Sequence, residues 1–178
     1  MQKIGFSPSL MCMPLLRVEE QIAFLNNKCD AYHVDIMDGH FVPNITLSPT
    51  FVKEVNAIAT LPLDCHLMVE NPINYVDELA KVGASMITVH VESLNGKAYR
   101  LFNRLNELGI KKGLAVNPET SVSELTQLLK HIDKVTVMTV DPGFAGQPFI
   151  SDALDKIEQL AKGRGLFLKK YFYLHCNI

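Results

Sequence analysis

The sequence predicts an α/β fold, a (β/α)8 TIM barrel that this chain fills only in part. Short β-like runs alternate with amphipathic helical runs at spacings of roughly 25 to 30 residues, the size of a βαβ element. The runs at residues 86–89 and 135–140 are nearly all apolar or β-branched, as in parallel strands covered on both faces. Polar, chemically capable residues recur at strand ends: Ser9, His33 with Asp35, His66, His90, Asn117 and Asp141. A doubly wound open sheet would share the first two features. However, no dinucleotide-type glycine fingerprint follows the first strand, and a ring of polar groups at the carboxyl ends is the working face of a barrel.

Each element has its own signal. Residues 3–10 read as the first strand. Residues 15–27 read as a helix, with Leu15, Leu16, Ile22, Ala23 and Leu25 at helical period. Residues 31–36 form the second strand, which runs out into a turn at Gly39. After a loop with Pro43 and Asn44, Ser48-Pro49 sets a cap and a first-turn proline for a helix reaching about residue 58. Residues 62–68 are the third strand, and Asn71-Pro72 opens a helix that ends near Gly83. A strand at 85–90, a helix at 95–108 closed by Gly109, and a strand at 111–116 follow. Ser121-Val122-Ser123-Glu124 has the capping-box pattern of a further helix. A strand at 134–140, a Gly/Pro loop and a helix at 151–162 complete six βα units.

A complete barrel takes eight units in about 200 to 250 residues. The expected organisation is therefore an incomplete barrel domain over residues 1–162 and a divergent tail over residues 163–178. Either residues 166–174 act as a makeshift seventh strand, or the chain associates through the open edges of its sheet.

Composition narrows the function classes. With 48% hydrophobic and 20% charged residues, the 178-residue chain reads as globular. A net charge of −2, from 17 basic and 19 acidic residues, leaves no basic footprint for nucleic acid or for a membrane surface. No apolar run approaches the roughly 20 residues of a spanning helix, and Met1-Gln2-Lys3-Ile4-Gly5-Phe6 lacks a signal-peptide core. Cys12, Cys29, Cys65 and Cys176 form no close pair, which fits a reducing cytoplasm.

The chemistry concentrates at His33-Val34-Asp35-Ile36-Met37-Asp38-Gly39. Strand alternation puts His33, Asp35 and Met37 on one face. His66 lies at the same depth of the next strand, beside Asp35. Two imidazoles and a carboxylate make a ligand set for a divalent transition metal with positions left open for substrate oxygens. Each histidine alone would read as a hydrogen-bonded core residue; the triad at adjacent strand ends, flanked by Met37 and Met68, favours ligands. Asp64 shares the face of His66 and is either its orienting partner or a buried hydrogen-bonding residue. The glycine-rich run Asp141-Pro142-Gly143-Phe144-Ala145-Gly146-Gln147 between a strand and a helix suits an anion, phosphate being the common guest. Ser9 either hydrogen-bonds substrate or caps the next turn. His90 and Asn117 are read as supporting or structural. Together these features suit proton abstraction next to the carbonyl of a sugar phosphate, with Asp35 as base.

These same motifs, with Ser7-Pro8-Ser9-Leu10 and the run from Asp64 through Val69, resemble the ribulose-phosphate 3-epimerase family over about residues 4–162. Ser9-Leu10-Met11-Cys12-Met13, Asn117-Pro118-Glu119-Thr120 and the Phe144-Ala145-Gly146 loop lean toward the D-allulose-6-phosphate 3-epimerases within it. Ribulose 5-phosphate is the alternative substrate. The resemblance implies a TIM barrel of the ribulose-phosphate-binding type and one divalent ion (Zn, Mn, Co or Fe). It implies His33, Asp35 and His66 as ligands, with Asp35 as acid/base. Ser9, His66, Met37, Met68, Met138, Gly143, Phe144, Ala145 and Gly146 would contact the phosphorylated ketose. Homo-oligomers are expected of the full-length family.

The resemblance also implies a second aspartate on the seventh strand, in a VDGG-like motif, as further ligand and opposite-face acid. No Asp or Glu follows Glu158 here, so a C-terminally truncated member is expected. Such a chain would exchange the C3 proton slowly without inversion, or bind metal and sugar phosphate without chemistry.

Overall fold

The computed structural model describes residues 5–162, and residues 171–175 as a backbone strand. Strands β1 (Tyr32–Asp38), β2 (Ile45–Thr46), β3 (Leu63–Met68), β4 (Met86–His90), β5 (Lys111–Val116), β6 (Lys134–Met138) and β7 (Tyr171–His175) form one sheet. Its order is β2-β1-β3-β4-β5-β6-β7. All neighbours pair parallel except β2, a short antiparallel addition to β1. Helix α1 (Val18–Leu25) precedes β1, and helices α2 (Pro49–Asn56), α3 (Val76–Lys81), α4 (Ala98–Glu107) and α5 (Ala153–Lys162) lie in the crossovers that follow, all but the one from β5 to β6. This is the βα succession of a TIM barrel, left open: among the described residues β7 does not reach β1. None of the described helices is long and apolar enough to cross a membrane.

The alternation along the strands sorts the side chains into two worlds. Val34, Ile36, Cys65, Leu67, Ile87, Val89, Leu114, Val116, Val135 and Val137 belong to the large apolar cluster, joined by helix residues such as Val52, Leu79, Leu101, Phe102, Leu105 and Leu160. The alternate positions carry His33, Asp35, Asp64, His66, Thr88, His90, Lys134 and Thr136, all buried. The inner face of the sheet is therefore polar yet dry, and its groups must satisfy one another.

Several expected elements are redrawn. Lys3 and Ile4 lie outside the described residues, and residues 5–8 do not form a strand: Ser9 makes only an isolated parallel bridge to His33. The segment is held by the Asp30 N–H on the Phe6 carbonyl (2.8 Å) and the His33 N–H on the Pro8 carbonyl (3.0 Å). Pro8 has no N–H to give in return, which limits the ladder. The helix expected after Ser121 is two single 3-10 turns, Val122–Leu125 and Leu129–His131. Ser121 Oγ accepts from the Ser123 N–H at 3.3 Å, a local turn that competes with helix in a Ser/Val/Thr-rich run. The Ser48 cap does form, its Oγ accepting the Phe51 N–H at 3.4 Å ahead of Pro49. β7 pairs with β6 from Lys134↔Tyr171 to Met138↔His175; residues 166–170 of the segment expected to be extended lie outside the described set.

One glycine is required by the inner packing. A Cβ on Gly113 would stand 2.1 Å from Thr88 Oγ1 and 3.0 Å from the Thr88 Cα, so neither side chain nor backbone of β4 could stay in place. Gly113→Ala is expected to cost about 1–3 kcal/mol, read from urea unfolding; an unchanged midpoint would show that the inner face has slack.

Candidate active site

The register of β1 on β3 sets His33 beside Asp64, Asp35 beside His66, and Met37 beside Met68. His33, Asp35 and His66, all buried, each offer one ligand atom, and these atoms lie within 4.8 Å of one another. His66 Nδ1 is 2.9 Å and His33 Nε2 is 3.2 Å from the same oxygen, Asp35 Oδ1. The other oxygen, Oδ2, accepts a hydrogen bond from the Ser9 hydroxyl. Thr46 Oγ1 holds the strand itself by donating to the Asp35 carbonyl at 2.7 Å. Ser9 thus does not cap the turn that follows it; its side chain makes no cap bond and serves the carboxylate.

Burial pushes both imidazoles toward the neutral form, but the outcomes differ. Asp35 and Asp64 flank His33 and hold its pKa up, at about 9. His66 is driven well below the ordinary range by burial; Asp35 opposes this, while His90 and His33 add to it. A charged His33 and a neutral His66 thus share one carboxylate oxygen. The donor set fits a divalent ion: two imidazole nitrogens and a carboxylate oxygen converge, and an ion would take over the positive charge that a proton on His33 now supplies.

Asp64 orients His33, not His66 as one of the two expected roles had it. Its Oδ2 is 3.2 Å from His33 Nδ1. Two residues along one strand are about 6.6 Å apart, whereas cross-strand partners are about 4.8 Å apart, so register wins over sequence proximity. Asp64 Oδ1 accepts from Thr88 Oγ1 at 2.8 Å, and Oδ2 forms a buried ion pair with Lys134 Nζ from β6. Burial alone would raise this carboxyl; the Lys134 ammonium and His33 hold it well below the usual carboxylate range.

On the far side of His66, its Nε2 is 2.8 Å from His90 Nε2, with the rings stacked at 4.9 Å. His90 Nδ1 faces Glu92 Oε2 at 3.4 Å, and Glu92 Oε1 accepts the Asn117 N–H at 2.8 Å. The sequence placed His90 and Asn117 on the rim as supporting or structural residues, and Glu92 was missed. Its signal is the His-x-Glu spacing at a strand end.

Met37, Met68 and Val42 form a small buried cluster with Met11 and Phe41 packed against it. Met138 is fully buried at the end of β6 but does not belong to this cluster. The glycine loop lies close by. Gly143 has φ +122° and a Cβ there would be 3.2 Å from Val42 Cβ; Asn44 Nδ2 donates to the Gly143 carbonyl at 2.7 Å. The loop after β6 is thereby tied to the loop after β1, with Phe144, Ala145 and Gly146 exposed.

The family model described as "Ribulose-phosphate 3 epimerase family" matches residues 5–166. The chain belongs to the ribulose-phosphate 3-epimerase family. It is 43% identical over 160 residues to the ribulose-phosphate 3-epimerase of Bacillus subtilis, covering 89% of this chain and 73% of that protein. It is 40% identical to that of Aquifex aeolicus, covering 89% and 71%. The chloroplastic ribulose-5-phosphate-3-epimerase of Arabidopsis thaliana is 39% identical, with 88% and 56% covered. Among solved structures, a mutant tryptophan synthase alpha-subunit from Pyrococcus furiosus superposes with a TM-score of 0.69 at 14% identity, covering 97% of this chain and 77% of that one. That likeness concerns the fold alone. Epimerases are isomerases, and a divalent metal is a property of this family, for which the His33, Asp35, His66 cluster is the matching donor set.

Two measurements probe the groups behind the three candidate ligands. Lys134→Met leaves Asp64 without its cation and is expected to cost about 3–5 kcal/mol of stability. Adding Asp64→Asn should then cost less than it does alone; strict additivity in denaturant melts would show the two are not coupled. Burial would raise Glu92, but bonds from His90, Thr120 and the Asn117 N–H hold its pKa down at about 2, against 4.5 in the unfolded chain. Its contribution is full above about pH 4.5 and fades as pH falls toward 2. Glu92→Gln should therefore be less stable than the parent by about 1–3 kcal/mol at neutral pH, with the gap closing in acid; a gap constant with pH would contradict the assignment.

Proposed function

We propose that this chain removes the proton at C3 of ribulose 5-phosphate as a metal-dependent 3-epimerase. The observation that carries the reading is Asp35, fully buried, with one oxygen between two imidazoles and the other on the Ser9 hydroxyl. His33, Asp35 and His66 would hold the ion. A bound divalent ion supplies positive charge beside the substrate oxygens where negative charge develops. Asp35 takes the proton, and Ser9 steadies its second oxygen. Met37 and Met68 exclude water beside the reacting carbon. The loop carrying Gly143, Phe144, Ala145 and Gly146 receives the phosphate, reached across the mouth through Val42 and Asn44. Zn, Mn, Co and Fe all suit two imidazoles and a carboxylate.

The substrate choice departs from the lean toward D-allulose 6-phosphate. The relatives are named for ribulose phosphate, and the loop on which the lean partly rests would contact the phosphate, the end that the five- and six-carbon substrates have in common. That loop cannot read chain length.

A second reading rests on one observation: β7 (Tyr171–His175), the strand beside β6, contains no Asp or Glu. Inversion needs a proton donor on the face opposite Asp35. Without a carboxylate on the strand beside β6, the chain would exchange the C3 proton on one face and leave the configuration intact.

Incubation of the metal-loaded protein with ribulose 5-phosphate in D2O separates the readings. Deuterium at C3 together with the C3 epimer is the outcome expected of a complete epimerase; deuterium without the epimer supports one-faced exchange. Asp35→Asn is expected to lower incorporation by about 10²–10⁴-fold, and chelation should abolish it. No incorporation by the parent, or an undiminished rate in Asp35→Asn, would overturn the assignment of Asp35.

A further inference from the structure

We propose that His90 and Glu92 are positioning residues that set the tautomer of His66 and so present its Nδ1 lone pair to the metal position. The proposal rests on the metal-ligand reading of His33, Asp35 and His66. Its basis is the chain of contacts on the far side of the His66 ring. His66 Nε2 and His90 Nε2 are 2.8 Å apart, so one must donate and the other accept. Which does so is decided one step further out. His90 Nδ1 faces Glu92 Oε2 at 3.4 Å, and among the described residues neither atom makes a closer hydrogen bond. An ionised carboxylate only accepts, so His90 carries its proton on Nδ1. In that tautomer His90 Nε2 carries the lone pair and accepts the N–H of His66 Nε2. In that tautomer His66 Nδ1, hydrogen-bonded to Asp35 Oδ1 at 2.9 Å in the ion-free protein, would carry the lone pair that an ion takes in place of that proton.

The assembly is built to hold this order. His90 is fully buried and clasped between the His66 ring and Phe41, whose centroids lie 4.9 and 4.8 Å away. Glu92 Oε1 is fixed by the Asn117 N–H at 2.8 Å. The loop supplying that N–H is itself anchored, since Lys156 Nζ from α5 donates to the Asn117 carbonyl at 2.9 Å and also to the Thr120 carbonyl. Asp64 does the corresponding work for His33 through its Nδ1. Each ligand imidazole thus has a carboxylate behind it, directly for His33 and through a second imidazole for His66. Outer partners of this kind orient the ring and raise its basicity.

Competition with a chromophoric chelator for Co(II), together with the visible spectrum of the Co(II) form, tests this without turnover. His90→Leu fills the volume but accepts no hydrogen bond, and is expected to weaken Co(II) binding about 10–100-fold and to alter the d–d bands. His90→Gln, which can accept at the position of Nε2, should bind within about three-fold of the parent. Glu92→Gln should fall between them. Urea melts of the metal-free proteins establish that each variant is folded. Parent-like affinity in folded His90→Leu overturns the proposal, as does His90→Gln losing as much as His90→Leu. If His90→Leu does not fold, Glu92→Gln decides: parent-like affinity and spectrum overturn the relay, and weakened binding supports it. If the parent itself binds no Co(II), the metal reading fails, and this proposal fails with it for that separate reason.

Discussion

A row of charge crosses the inner face of the sheet: Asp35, His33, Asp64 and Lys134, alternating in sign and all buried. Burying any one of these alone would be costly, since an isolated ion loses several kcal/mol of hydration even after relaxation. Together they cancel. The row reaches from β1 through β3 to β6, strands that are not all neighbours, so it ties the sheet across its interior as well as along its ladder. Gly113 and Thr88 make room for it: Thr88 donates to Asp64, and only a glycine opposite leaves space for the hydroxyl.

The same row explains why the strand ends can do chemistry. A carboxylate in a dry interior needs partners for both of its oxygens. Asp35 has a charged imidazole, a second imidazole and a hydroxyl around them. The interior behind it is polar and saturated; the surface in front is Met37, Met68 and Val42, apolar and soft. Asp35, fully buried, sits at the boundary between the two.

Sequence legibility followed the range of the interactions. Elements read from local signals appear close to where they were expected, as with Ser48-Pro49 at the start of α2 and the β-branched run of β6. The triad was legible because alternation along a strand and matched depth on the next are short-range rules. The segment after Ser121 was not, because a capping pattern says nothing about whether the following residues will prefer turns to helix. The antiparallel β2 was hidden in a loop whose ladder exists only because β1 lies beside it.

The chain by itself determined the βα succession, the polar strand ends and the identity of the three ligand candidates, since all follow from residue type and period. Only the tertiary structure decided which carboxylate serves which imidazole. Asp64 and His66 are close in sequence and share a face, yet register gives Asp64 to His33. His66 is served instead by His90 and Glu92, from the next strand and the loop after it. Lys134, which reads as an ordinary lysine at a strand start, proves to be a buried counter-ion 70 residues from its partner. Local pattern fixes which face a side chain occupies, but hydrogen-bond partners on a parallel sheet are chosen by register and by what crosses the interior, and neither is written in any short stretch of the chain.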